Sequence, residues 1–303
     1  MDGILGVDKA RGPTSHDVVQ RVRRLLSFRR VGHAGTLDPD ASGVLLVCVG
    51  RATKVSLYLM EGQKEYLATV RLGFRTATGD RVGEPVEDPR PITVSRDDIS
   101  AACRRWVGEV EQIPPMVSAV KQGGVKLYQL ARQGLEVDRP PRGVRIDEIE
   151  ILDILLPFIR LRVCCGAGTY IRVLAEDIGE LLGCGGHVFA LRRARVGRVG
   201  LDQCLRWQEM ELAAGNGRFR GAFMSVNKAL EFLPDVRMDE RDSRRIRTGM
   251  TIRRQPSGEK LGASRWLRLR DPAGDLVAIG TLAGKPDEEG ASIRPVRVLS
   301  PLG

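Results

Sequence analysis

The segment His33-Ala34-Gly35-Thr36-Leu37-Asp38-Pro39-Asp40-Ala41-Ser42-Gly43, followed at once by Val44-Leu45-Leu46-Val47-Cys48-Val49-Gly50, decides how the chain reads. The apolar run between Gly43 and Gly50 has the length and branched content of a buried strand. The preceding stretch, Gly32 to Gly43, mixes Gly, Pro and Asp and reads as a loop. Asp38 lies in it between a leucine and a proline. Glycine hinges and the fixed φ of proline leave that carboxylate little freedom. Rigid scaffolds present catalytic side chains on loops of this kind. An ordinary Asp-Pro turn is the alternative, and spacing alone does not separate the two.

Outward from this segment, Thr14-Ser15-His16-Asp17 supplies capping oxygens for a helix. Val18, Val19, Val22, Leu25 and Leu26 then fall on one helical face, and Arg21, Arg23 and Arg24 on the other. Tyr66, Ala68, Val70 and Leu72 alternate with Leu67, Thr69 and Arg71, the period of a strand. Ile159, Leu161, Val163 and Cys165 repeat that pattern up to a turn at Gly166-Ala167-Gly168. A helix follows, with the stripe Ile171, Leu174, Ala175, Ile178 and Leu181, Thr169 as its expected cap and Gly183 near its end. Between them, 112 to 145 is rich in Pro, Gly, Lys and Arg, with a short helical piece at Leu127 to Arg132, and reads as a basic insertion. Beyond Leu233-Pro234-Asp235 the texture changes. A short amphipathic helix is predicted at Asp239 to Thr248, and strands at Trp266 to Leu269 and Leu276 to Thr281. The expected division is therefore 1–235 and 236–303, and the mixture of strands and helices indicates an α+β fold.

With 303 residues and 42% hydrophobic content, the chain can bury a sizeable core. Its net charge of +10 comes from arginines spread along the chain and favours a polyanionic partner. No apolar run has the length of a membrane span and no leader pattern opens the chain, so a cytoplasmic protein is expected. The six cysteines contain no CxxC pair, which argues against a zinc ribbon or a redox motif. Cys184 and His187 form only a faint metal-like hint.

The run around Asp38 resembles the GxLDPxAxG motif of the TruB branch of pseudouridine synthases. Other segments agree in order: Asp8-Lys9 with Thr14 to Val19, Gly50 to Lys54, Lys64-Glu65-Tyr66, and Thr76 to Asp80. Gln112-Ile113-Pro114-Pro115, Ser118-Ala119, Lys121 and Tyr128 to Gly134 are similar to the family's RNA-clasping insertion. Gly168-Thr169-Tyr170-Ile171-Arg172, Gly183 to His187 and Leu191-Arg192-Arg193 complete the series. Two positions depart from the pattern. Lys9 is followed by Ala10 where the family has proline, and Cys165-Gly166-Ala167 replaces Cys-Ser-Lys, so no lysine role carries over there.

The resemblance implies a mixed, mainly antiparallel catalytic sheet and a small C-terminal PUA-like β domain. It also implies isomerisation of uridine 55 in the T arm of tRNA to pseudouridine. No cofactor or metal is needed for that conversion. Asp38 would be the catalytic carboxylate, and a buried aspartate needs a fixed cation to stay ionised. Arg172 would supply it through a two-pronged hydrogen bond. Tyr66 would stack on the detached uracil or handle the C5 proton, and Tyr170 and Leu191 would wall the pocket. His33 would fill the space left by an extruded base. Lys121, Arg132, Arg139, Arg142 and Arg145 would contact phosphates. A stand-alone monomer without an obligatory protein partner is expected. The rivals are a non-catalytic RNA-folding protein, a nucleosidase, and a relative that works inside a guide-RNA particle.

Overall fold

The computed structural model describes residues 2–118, 120–215, 218–254, 264–283 and 291–299. Ala119 of the quoted motif, and parts of the expected C-terminal unit, lie outside the described residues. Strand β1 (Gly3–Lys9) leads into helix α1 (Ser15–Leu26). That helix begins where its cap was expected: the Thr14 hydroxyl accepts from the Asp17 N–H at 3.1 Å, and the Asp17 carboxylate accepts from the Thr14 N–H at 2.9 Å. It ends at Ser27 in the left-handed region, φ 50°.

Strands β2 (Val31–Ala34) and β3 (Ser42–Val49) flank the Asp38 loop. His33 therefore lies on a strand, opposite Val47, and not in the loop expected from Gly32 onward. Four residues are too few for periodicity to reveal, and the pairing that creates β2 comes entirely from β3. Helix α2 (Ser56–Met60) and strand β4 (Lys64–Leu72) follow, then α3 (Arg96–Arg105) and β5 (Gly108–Gln112). A small hairpin, β6 (Lys121–Gln122) and β7 (Val125–Lys126), precedes α4 (Leu127–Arg132). Strands β8 (Arg142–Leu155) and β9 (Phe158–Cys165) lead to α5 (Ile171–Leu181). The expected Thr169 cap is not used. Tyr170 holds the cap position, and its side chain makes no capping bond.

Strand β10 (Gly186–Val196) passes through the middle of the sheet, and β11 (Val199–Gly200) folds back on it. Among the described residues, nine strands join in one sheet with central order β1-β3-β10-β4-β9-β8-β5. Its named pairings are antiparallel except β10 with β3, which run parallel at Arg192 opposite Ser42 and Arg193 opposite Gly43. The connection between β5 and β8 leaves and re-enters on the paired residues Gln112 and Arg142, so Arg142 and Arg145 sit on a main-sheet strand.

The continuous apolar reading of β3 has a simple cause. Leu45, Val47 and Val49 enter one core with α1, α3, α5 and α6 (Trp207–Gly215). Val44, Leu46 and Cys48 enter a second core with α2 and α7 (Val226–Ala229) on the opposite face. A strand covered on both faces loses its alternation. Each fully buried aliphatic side chain there contributes about 1.5–3 kcal/mol.

A second sheet collects β12 (Asp235–Arg237), β13 (Ile252–Arg254), β14 (Leu267–Arg270), β15 (Leu276–Leu282) and β16 (Ala291–Val298). Their order is β12-β14-β15-β16-β13, and α8 (Glu240–Arg247) packs its buried Ile246 into their core. Ile279 joins the second core of the main sheet, and Trp266 meets Tyr58 edge to face at 5.0 Å.

Candidate active site

Asp38 sits in the loop 35–41 between β2 and β3, and the backbone of that loop is held from several sides. Ser15, buried at the start of α1, accepts from the Leu37 N–H at 2.8 Å and donates to the Leu37 carbonyl at 3.0 Å. Lys9 Nζ, also buried, donates to the carbonyls of Ala10, Pro13 and Pro39 at 3.0, 2.8 and 3.3 Å. Arg193 donates through Nε to Val44 O at 2.8 Å, through Nη1 to Thr36 O at 3.3 Å and through Nη2 to Gly35 O at 3.1 Å. Gly43, at the head of β3, has φ +106°, and a Cβ there would fall 2.2 Å from the Arg193 carbonyl oxygen. Only glycine fits that approach. Asp40 is gripped by Arg81 at 2.9 and 2.8 Å. The Asp38 carboxylate itself stays 36% exposed, so a tightly held backbone presents an open side chain.

Arg172, in the first turn of α5 and 4% exposed, reaches Asp38 Oδ2 through Nε at 2.9 Å. Its other two nitrogens are engaged elsewhere, Nη1 with Thr78 O at 2.7 Å and Nη2 with Val117 O at 2.8 Å. The expected two-pronged grip is thus replaced by a single prong, because two carbonyls take the remaining donors and fix the guanidinium plane. Thr78 belongs to a tight turn in which the Thr76 and Thr78 hydroxyls donate to Asp80, both at 2.6 Å. Val117 belongs to the basic insertion. One buried arginine therefore joins the Asp38 loop, the Thr78 turn and the insertion.

Tyr66 projects from β4 on the face it shares with its cross-strand partner Arg193, and is 9% exposed. Burial raises its phenol above the ordinary value, while Arg193 works in the opposite direction. Burial pushes Lys9 down to about 8 against the pull of Asp38 and Asp40. On α5, burial and the neighbouring Asp177 push Glu176 up to about 7. Leu191 pairs in register with Ala68 and packs half-buried against the main core. The Tyr170 N–H donates to Gln112 Oε1 at 2.9 Å and its carbonyl accepts from Gln112 Nε2 at 3.3 Å, tying the root of the insertion to α5. His33 is half-buried, and burial, then Arg193, holds its imidazole below the ordinary value. Its buried Nδ1 has no partner among the described residues.

The five basic residues named for phosphate contact divide into two kinds. Lys121, Arg132 and Arg142 are exposed, and Arg132 lies over the Tyr128 ring at 5.5 Å beside Lys126 at 5.6 Å. Arg139 instead braces the insertion from within, donating to Pro114 O at 3.2 Å and pairing with Glu136. Arg145 pairs with Asp147 at 2.6 Å and Glu109 at 3.2 Å. Among the described residues no three His, Cys, Asp or Glu side chains are arranged to hold a metal. His187 donates to Phe74 O at 3.1 Å, and its ring lies tilted against the Phe74 ring at 4.8 Å.

Ser15, Lys9, Gln112 and Arg193 are the site residues to which sequence reasoning assigned no role. A lysine ending the apolar strand Gly3–Lys9, and an arginine on the core-facing side of β10, were the available signals.

Comparison with known proteins identifies the family. Residues 23–171 match the family model of the TruB family pseudouridylate synthase N-terminal domain. Residues 172–226 match that of the tRNA pseudouridylate synthase B C-terminal domain. The chain is 42% identical to the tRNA pseudouridine synthase B of Ralstonia nicotianae, over 98% of this chain and 94% of the relative. It is 40% identical to that of Pseudomonas aeruginosa, over 92% and 91% respectively. A chain of a solved Cbf5-Nop10-Gar1 complex superposes with TM-score 0.76 at 28% identity, covering 99% of this chain and 85% of that one. A chain of an H/ACA RNP bound to a substrate RNA containing 2′-deoxyuridine gives 0.73 at 26%, with coverage of 99% and 85%. The matched segments contain Asp38, Tyr66 and Arg172 in the arrangement described, and the chain belongs to the TruB family of pseudouridylate synthases.

Proposed function

We propose that the protein isomerises uridine 55 in the T arm of tRNA to pseudouridine, with Asp38 as the catalytic carboxylate. The observation that carries this reading is the Asp38–Arg172 pair: an open carboxylate, on an immobilised loop, 2.9 Å from a buried guanidinium. The N1–C1′ bond breaks and its electrons stay with the uracil, leaving an electron-poor sugar carbon that Asp38 meets with negative charge, as carboxylates do at glycosidic centres. The base turns, C5 bonds to C1′, the C5 proton leaves and N1 gains a proton. Atoms balance without an external electron donor. In this reading Tyr66, the register partner of Arg193, stacks on the uracil face or handles the C5 proton.

The target base is extruded from the folded arm before reaction, His33 standing beside the loop to occupy the gap. Lys121, Arg132 and Arg142, with the Lys126–Tyr128 pair, form the phosphate-facing side of the insertion. The unit of β12 to β16 acts as a PUA-like RNA-binding module, a reading supported by its own sheet and core; Asp235, assigned from the sequence to the first unit, belongs to β12 of the second. A stand-alone, monomeric, cytoplasmic enzyme belongs to the same proposal. It is supported by the higher identity to the curated synthases, 42%, than to the chain from the Cbf5-containing complex, 28%. No helix among the described residues is long and apolar enough to cross a membrane.

The deciding experiment is Asp38→Asn, which keeps size and loop geometry and removes the charge. Tritium release from C5-labelled uridine in unmodified tRNA is expected to vanish, while filter binding of the same tRNA stays near the parent value. Substantial release by the variant overturns the assignment.

A further inference from the structure

Arg193 has the features of a residue that serves the reaction in addition to the fold. It is 2% exposed, and among the described residues it makes no ion pair with a carboxylate. A buried charge left without a counter-ion is strongly unfavourable, and three backbone carbonyls alone call for donors, not for a positive charge. What surrounds the guanidinium explains the charge. It spans the Asp38 loop at Gly35 and Thr36 and the head of β3 at Val44. Across the sheet it shares a face with Tyr66, its register partner on β4. Its own backbone runs parallel against Gly43, so close that no Cβ fits between the chains.

We propose that Arg193 is a positioning residue of the isomerisation, whose single buried guanidinium holds the Asp38 loop and the Tyr66 phenol in one fixed geometry and supplies the positive charge between them. The inference rests on the function proposed above. Asp38 contacts Arg172 and not Arg193, so Arg193 acts on it through the loop backbone and through the local field. At Tyr66 burial raises the phenol and the Arg193 charge opposes that rise, lowering the cost of placing negative charge on the phenol oxygen. Negative charge that develops on the detached uracil over Tyr66 meets the same cation, which an uncharged clamp at this position would not provide.

The test compares the parent with Arg193→Lys, which keeps the charge but loses the planar fork, and Arg193→Gln, which keeps amide donors but loses the charge. Single-turnover tritium release, filter binding of tRNA and thermal melting are measured on the same preparations. At equal folded fraction, the Lys variant is expected to lose about 100-fold in rate, with tRNA affinity within about twofold of the parent. The Gln variant is expected to fall further, so that charge partly rescues the rate. Variants that match the parent within about threefold, or that match each other, overturn the proposal. Rate lost only in proportion to folded protein, or no folded protein in either variant, assigns Arg193 to folding and overturns it equally. A parent that releases no tritium overturns the function reading and this proposal with it, whereas an active parent beside unaffected variants overturns this proposal alone.

Discussion

Arg172 contacts Asp38 through Nε alone, at 2.9 Å, while its two terminal nitrogens are held by the carbonyls of Thr78 and Val117 at 2.7 and 2.8 Å. Two hydrogen bonds fix the guanidinium plane, and the ion pair holds the carboxylate against its Nε edge.

Arg172→Lys separates charge from this geometry. An ammonium can still approach Asp38 but cannot brace two carbonyls in the directions a planar fork reaches. The turnover number is expected to fall about 100-fold, with a stability loss of about 2 kcal/mol, smaller than for a fully buried pair because Asp38 is 36% exposed. Proteolytic cleavage of the insertion should accelerate as well, since Val117 loses its donor. Steady-state kinetics, denaturant titration and limited proteolysis check the three outcomes.

The Lys9 ammonium makes stability depend on pH in a defined direction. Burial lowers it from 10.5 to about 8 in the folded chain. Below pH 8 both states carry the proton and the burial penalty is fully present. Between about 8 and 10.5 the unfolded chain holds more proton than the folded chain, so the contribution of this group rises with pH. Urea midpoints of the parent and of Lys9→Met, measured side by side, are expected to shift in the parent's favour across that window. A constant difference between the two would show that Lys9 does not titrate there.

Salt dependence separates the basic residues that carry no carboxylate partner among the described residues from the committed ones. Neutralising Lys121, Arg132 or Arg142 should each reduce the slope of log affinity against log salt by about 1. Arg145, paired with Asp147 and Glu109, and Arg139, tied to Pro114 and Glu136, should change it less. Filter binding of tRNA over a range of salt concentrations measures all five.

Local signals carried much of this site into view. The capping box at Thr14 and Asp17, the alternation through Tyr66 to Leu72 and the stripe of α5 depend on neighbours three or four residues away, and the chain shows them directly. The family motifs then pointed to Asp38 and Arg172. Strand β10 stayed hidden because Arg192, Arg193 and Arg195 interrupt its apolar pattern, and the reason Arg193 is tolerated there lies in carbonyls about 150 residues away in the chain. The single prong of Arg172 was equally invisible. It depends on where Thr78 and Val117 place their oxygens, which is a property of two loops and not of the helix that carries the arginine.

The link from Val117 through Arg172 to Asp38 has a thermodynamic consequence. Whatever seats the insertion also completes the partner of the carboxylate, and by reciprocity the Asp38–Arg172 contact favours the seated insertion to the same extent. Under the function proposed above, grasping the substrate and arming the reactive group are two readings of one equilibrium. A molecule too small to engage the insertion would then gain nothing from that coupling, and discrimination by size would need no separate gate.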